Sequence, residues 1–277
     1  MIVVTGATGN VGRPLVRMLA EAGEKVTAVA RTLPAELPDG VQAVSADITD
    51  AGSLPFDGAE QLFLLFAPGS FAADVPAILS AAKDAGVRRV VLLSSQGVAT
   101  RPESVSHGQL GRAIETAVQD SGLEWTILRP GGFQSNTFAW TESVREQRVA
   151  AAPFGDVAIP FVDPDDIAAV AAAVLVQDGH LGQTYVLTGP APESPRDRAR
   201  VLGELLGETV RFVEQTPEEA RAQMLAFMPP EVADTTLAVL GAPTDEELRI
   251  SPDIERVLGR APHPYAAWAA RNLPAFR

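Results

Sequence analysis

Residues 5–12, Thr5-Gly6-Ala7-Thr8-Gly9-Asn10-Val11-Gly12, join a β-branched run at the start of the chain to an amphipathic repeat. Few loops are compatible with three glycines at that junction. Ile2-Val3-Val4 reads as a strand, while Val11, Leu15, Met18, Leu19 and Ala22 recur at helical spacing until Gly23 closes the helix. Gly6 lets the chain turn sharply off the strand. Gly9 lets backbone N–H groups approach a pyrophosphate, and Gly12 lets the helix pack close to the sheet. The helix N-terminus adds partial positive charge and free donors. Gly6, Thr8, Gly9, Asn10, Val11 and Gly12 are therefore expected to cradle a dinucleotide.

Short β-branched runs continue to alternate with helical patterns, which predicts an α/β fold with a doubly wound parallel (Rossmann) sheet. Strands are expected at 25–30, 41–46, 61–67, 89–94 and 124–128, with helices at 73–85 and 111–121 between them. After Arg129-Pro130-Gly131-Gly132 the alternation loosens. A helix and loop are expected over 140–151, a strand at 157–162, an Ala/Val-rich helix at 164–176 and a strand at 184–187. The Pro-rich stretch 189–195 reads as a boundary. It divides a nucleotide-binding domain, 1–190, from a smaller, mainly helical lobe, 191–277, to which 131–156 contributes. In that lobe, helices are expected at 196–206, 217–227 and 231–240, with a short strand at 209–214.

Composition narrows the function classes. A net charge of −13 works against nucleic-acid and anionic-membrane partners. No apolar run approaches the roughly 20 residues that a membrane span needs. The chain has no cysteine, and its three histidines are scattered, so no metal site is expected. Met1 leads straight into a strand without a basic start, and a cytoplasmic location is expected. Asp163-Pro164-Asp165-Asp166 reads as a capped helix start, not a carboxylate site.

The pieces VTGATGNVGRPLV, ADITD, VVLLSSQGV, SGLEWTILRPGGFQSN, PFVDPDDIAAVAAAVL and GQTYVLTGP stand in an order and spacing that resemble the NmrA-like, atypical branch of the short-chain dehydrogenases/reductases. The resemblance covers essentially the whole chain and implies a nicotinamide cofactor. Arg31 ends the second strand, where an acidic residue would favour NAD, so NADP is expected over NAD. The resemblance sets Asp47-Ile48 against the adenine. Ala67-Pro68 and Ser94-Ser95 end the fourth and fifth strands, where ligands of open α/β sheets bind.

Most members carry a Tyr-x-x-x-Lys pair on the helix after the fifth strand, and this chain departs from that pattern. His107 and Gly111 stand at the best match, the two tyrosines are Tyr185 and Tyr265, and the last lysine is Lys83. Three readings stay open. A reductase could take its proton from His107, a serine such as Ser95, water or the substrate itself; a redox sensor would act through a protein partner; an isomerase would reuse the cofactor site. By the resemblance, Phe133 lies beside the nicotinamide. Gln96, Phe133, Asn136 and Trp140 are the candidate contacts to a small-molecule substrate, with Met224, Phe227 and Met228 as a flexible apolar wall.

Overall fold

The computed structural model describes residues 1–33, 37–66 and 72–277. The first half runs β1 (Ile2–Thr5), α1 (Gly12–Glu21), β2 (Val26–Ala30), β3 (Gln42–Ser45), β4 (Gln61–Leu65), α2 (Val75–Asp84), β5 (Arg89–Leu93), α3 (Gly97–Thr100), α4 (Leu110–Asp120) and β6 (Glu124–Pro130). It continues through α5 (Thr141–Gln147), β7 (Val149–Ala152), α6 (Pro164–Val176) and β8 (Gln183–Leu187). The C-terminal part holds α7 (Pro195–Leu206), β9 (Arg211–Glu214), α8 (Pro217–Met224), α9 (Pro230–Gly241), α10 (Asp245–Leu248), α11 (Asp253–Leu258) and α12 (Tyr265–Asn272). No helix among the described residues is long and apolar enough to cross a membrane.

Seven parallel strands form one sheet in the order β3-β2-β1-β4-β5-β6-β8. The chain winds outward from β1 to β3, returns to β4, and winds the other way. The reversal falls between β1 and β4, where crevices open at the carboxyl ends of such sheets. Thr5 ties that point together, its hydroxyl bonding the carbonyls of Phe63 and Leu65 and accepting from the Leu65 N–H.

Alternation within the strands explains the two faces. Ile2, Val4, Ala28, Phe63, Val91 and Leu128 pack with α1, α6 and α11 on one side. Val3, Val29, Leu62, Leu64, Leu92 and Ile127 pack with α2 and α4 on the other. Both faces are covered, which is why these strands read as nearly continuous apolar runs. Each fully buried Leu or Ile contributes roughly 1.5–3 kcal/mol. A third core, around Trp140, Val144, Leu202, Tyr265, Trp268 and Phe276, joins the segment after β6 to the C-terminal part.

The expected strand over 157–162 does not form. Only isolated bridges occur there, Ile159 with Glu193 and Phe133 with Val162, and Pro160 supplies no N–H to a ladder. The expected helix and loop over 140–151 instead resolve into α5, a left-handed Arg148 (φ 54°) and β7, which pairs in parallel with β9. Asp163 does cap α6, accepting from the Asp165 N–H at 3.0 Å, with Pro164 in the first turn. Its second oxygen meets Arg271, and the buried Asp166 meets Arg260 and the His263 N–H, so α6 anchors the returning C-terminus.

Candidate active site

The glycine loop is shaped for an anion. Gly6 sits at φ +64°, and a Cβ on Gly12 would lie 2.1 Å from the Gly6 carbonyl oxygen. That close approach aims the start of α1 across the end of β1. No side chain caps α1, and its first turn carries no acid. The N–H groups of Asn10 and Val11 have no acceptor among the described residues. The orphan donors of this helix end and its positive pole are thus available to a pyrophosphate. Val11 offers only backbone, because its side chain is buried in the core. Asn10 reaches across to Ser135 (3.2 Å), and Arg13 donates to the Thr8 carbonyl. A cleft of about 670 Å³ runs beside Thr8-Gly9-Asn10 and Arg13, walled opposite by Phe138, Trp268 and Arg271.

At the ends of β2 and β3, Arg31, Ser45, Ala46, Asp47, Asp50 and Ser53 line a shallow open depression. Arg31 is exposed. Asp47 accepts from the N–H and hydroxyl of Thr49, and those bonds, with the Arg31 charge, hold its carboxyl below the usual range. Ile48 packs beneath, against the core. Ala67 and Pro68, expected at the end of β4, lie outside the described residues.

Beyond β5 and β6 a cavity of about 310 Å³ brings together Ser95, Gln96, His107, Phe133 and Asn136, five of the residues singled out from sequence. Phe161, Ile159, Val239 and Leu240 complete its apolar wall. A second, mostly apolar chamber of about 230 Å³ shares Ser95 and His107 with the first and is lined by Phe66, Leu93, Leu110, Ile114 and Val232. Ser94 borders this chamber, but its hydroxyl donates to the buried Glu115 (2.5 Å), which also takes a two-pronged contact from Arg129. The Gln96 amide donates to the Glu246 carbonyl, so this side chain also braces the cavity roof.

Trp140 corrects the sequence expectation. It is only 7% exposed, its Nε1 donates to the Ala151 carbonyl, and its ring lies beneath the Arg198 guanidinium. It supports the third core and does not reach the cavity. Phe227 is likewise misplaced as a cleft wall: it is 68% exposed, and α9 supplies the wall through Val232, Thr236, Val239 and Leu240.

His107 sits in a π-type turn, Val105–Gln109, immediately before α4. Such turns are rare and concentrate at functional sites. Ser104 caps the turn by accepting the His107 N–H, and Gly108 lies so close to the Arg101 carbonyl that a Cβ would come within 2.1 Å. The imidazole is half-buried. Desolvation lowers its pKa, with Arg101 adding to that effect and Glu247 opposing it. Glu247 is itself paired with Arg101, whose guanidinium makes two contacts to the carboxylate and one each to the Ala238 and Ala242 carbonyls. Sequence reasoning missed this pair. Its partners are 146 residues apart, and neither stands in a motif.

A family model described as NAD(P)H-binding matches residues 6–178. The chain belongs to this NAD(P)H-binding family, and its likeness to the atypical short-chain dehydrogenases/reductases holds. It is 36% identical to the (4-alkanoyl-5-oxo-2,5-dihydrofuran-3-yl)methyl phosphate reductase of Streptomyces griseus, over all of this chain and 99% of that one. It is 33% identical to the NAD(P)H azoreductase of Xenophilus azovorans, again over 100% of this chain and 99% of its relative. In fold it matches the triphenylmethane reductase of Citrobacter sp. complexed with NADP(H), with a TM-score of 0.79 at 23% identity over 98% of this chain and 100% of that structure.

Proposed function

We propose that the protein is an NADP(H)-dependent reductase of a small apolar acceptor, a carbonyl, quinone or imine-like compound, working without the Tyr-x-x-x-Lys pair. One observation carries this reading. Arg31 with Asp47, the uncapped glycine loop, and the cavity holding Ser95, His107 and Phe133 follow one another along the carboxyl ends of neighbouring strands. That line suits an extended dinucleotide with a substrate at its nicotinamide end. The relatives named above as reductases support the reaction class.

The loop N–H groups and the α1 terminus would hold the pyrophosphate, and Arg31 would face a ribose 2′-phosphate. A bound reduced nicotinamide supplies a hydride. The chain's own residues bind the acceptor, exclude water and deliver a proton. Phe133, Phe161, Val239 and Leu240 dehydrate the acceptor. Glu247 is the charged side chain lining this cavity, and its partner Arg101 donates from Nε and Nη2 to it and to the Ala238 and Ala242 carbonyls. An uncharged acceptor is therefore favoured over a phosphorylated one. His107 is the proton donor, with the Ser95 hydroxyl beside it as an orienting donor to the acceptor.

The test follows NADPH oxidation against quinones, enones, imines and azo compounds. His107→Ala is expected to lower kcat/KM about 10²–10⁴-fold, the usual contribution of a positioned acid, while NADPH affinity holds. Absence of both NADPH binding and turnover across these acceptors overturns the reading.

A further inference from the structure

We propose that Ser106 is a positioning residue that selects the protonation pattern of His107, and that α9 sets it. This rests on the reading of His107 as proton donor. The Ser106 hydroxyl lies 2.9 Å from the His107 Nδ1. The same hydroxyl is 3.2 Å from the Glu231 carbonyl and 3.4 Å from the Thr235 hydroxyl, both on α9. The Thr235 hydroxyl lies 3.0 Å from the Glu231 carbonyl and 2.8 Å from the Ser104 hydroxyl, which is itself 3.3 Å from Ser106.

A hydroxyl has one proton to give. In the proposed network Ser104 donates to Thr235 and Thr235 to the Glu231 carbonyl, so α9 presents acceptors to Ser106 and the Ser106 proton points toward α9. Its oxygen is then left to accept, and the Nδ1–H of His107 donates to it. In this arrangement Nδ1 keeps its proton in both charge states, and Nε2 alone titrates. Nε2 has no partner among the described residues, and the ring borders both chambers. During reduction the Nε2–H bond breaks and a bond from that hydrogen to the acceptor oxygen or nitrogen forms, while Nδ1–H stays on Ser106. The ring ends neutral and regains its proton from solvent.

The surroundings of the imidazole are consistent with one titrating position. The charged groups acting on it are Arg101, which follows α3, and Glu247 of α10, and these pair with each other. Besides the hydroxyl and carbonyl already named, α9 lines the two chambers with Val232, Val239, Leu240 and Thr236, whose hydroxyl donates to the Val232 carbonyl, and α4 lines them with Leu110, Gly111 and Ile114; none of these carries a charge. The neutral tautomer is thus decided by hydrogen bonding to Ser106 and, through it, by the docking of α9. Removing the hydroxyl takes an acceptor from the imidazolium, which favours the neutral ring and lowers the pKa further.

The experiment is ¹⁵N NMR of histidine-labelled protein across pH, with His107 assigned by loss of its signals in His107→Gln. The expected result is a neutral tautomer protonated at Nδ1 in the native protein. Ser106→Ala should shift the population toward Nε2–H, while Ser106→Thr retains the native pattern. In turnover, Ser106→Ala should move the alkaline limb of kcat to lower pH, with about a tenfold loss at neutrality for each unit moved and recovery on acidification. A native tautomer protonated at Nε2, or a Ser106→Ala variant matching the native protein in tautomer and pH profile, overturns the proposal. A tautomer that responds to Ser106 while His107→Gln leaves turnover intact would instead sink the catalytic reading and leave the Ser106 assignment standing.

Discussion

At the residue scale, the loop and its neighbours act through small, countable contacts. Gly12→Ala would force a methyl group to within 2.1 Å of the Gly6 carbonyl oxygen. The loop must open, at about 1–3 kcal/mol of overpacking, and dinucleotide affinity measured by NADPH fluorescence should fall well before the fold does. Arg31→Ala is expected to weaken NADPH binding about 10–100-fold, the worth of a charge-assisted hydrogen bond of roughly 1.5–3 kcal/mol, and to leave NADH unchanged. Equal loss for both dinucleotides would show that Arg31 does not read the 2′-phosphate. Away from the site, desolvation raises Glu193 to about 7, with Arg198 opposing. A folded-state value above the ordinary 4.5 means that the folded chain keeps a proton which the unfolded chain releases. The stabilising contribution is complete below the ordinary value and is lost as pH rises toward 7. Glu193→Gln should therefore flatten the decline in Tm between pH 5 and 7.

Elements carry the site through their ends. The carboxyl ends of β5 and β6 are held in register with α4 by Glu115, which is 4% exposed and grips both Arg129 and the Ser94 hydroxyl. Breaking such a pair leaves a buried charge without its partner and typically costs 3–5 kcal/mol. Arg129→Ala is expected to lose about that much in urea unfolding, whereas Glu115→Gln with Arg129→Met should recover most of it. If the single and double variants unfold alike, the pair is not what holds these ends. The roof over the cavity is an element-level device too. Gln96, Arg101, Ser104 and Ser106, all from the stretch after β5, fasten to α9 and α10.

For the whole molecule, ligand binding and stability are linked. A dinucleotide that binds the folded chain alone stabilises it by RT ln(1 + [L]/Kd), about 2.7 kcal/mol at a hundredfold excess over Kd. A chain of 277 residues should then gain roughly 5 °C in Tm. NADPH is expected to give the larger shift at equal concentration, NADH the smaller. A flat response to both would remove the dinucleotide from the proposal. The C-terminal segment shares in this linkage. Through Ile254 in the main core and the contacts of Arg260, His263 and Arg271 to α6, it is tied to the helix that packs beside α1.

The order of strands and helices in the first half was legible in the sequence because each strand is buried on both faces and each helix on one stripe. These local periodicities survive any tertiary detail. The loop from Thr5 to Gly12 was legible for the same kind of reason: a backbone that must turn, approach and pack closely admits only glycine at set positions. The region after β6 was harder to read. Proline at 160 and a left-handed Arg148 redirect the chain, and the pairing of β7 with β9 joins segments some 60 residues apart. Within the site, the sequence by itself determined the close-packed glycine loop at the start of α1, where the proposed dinucleotide's phosphates would rest. Tertiary structure decided what surrounds His107. It buried Trp140 away from the cavity, brought α9 against the turn after α3, and set Arg101 on Glu247. Those contacts depend on the docking of surfaces far apart along the chain, and no periodicity or spacing encodes which hydroxyl will stand beside which ring nitrogen.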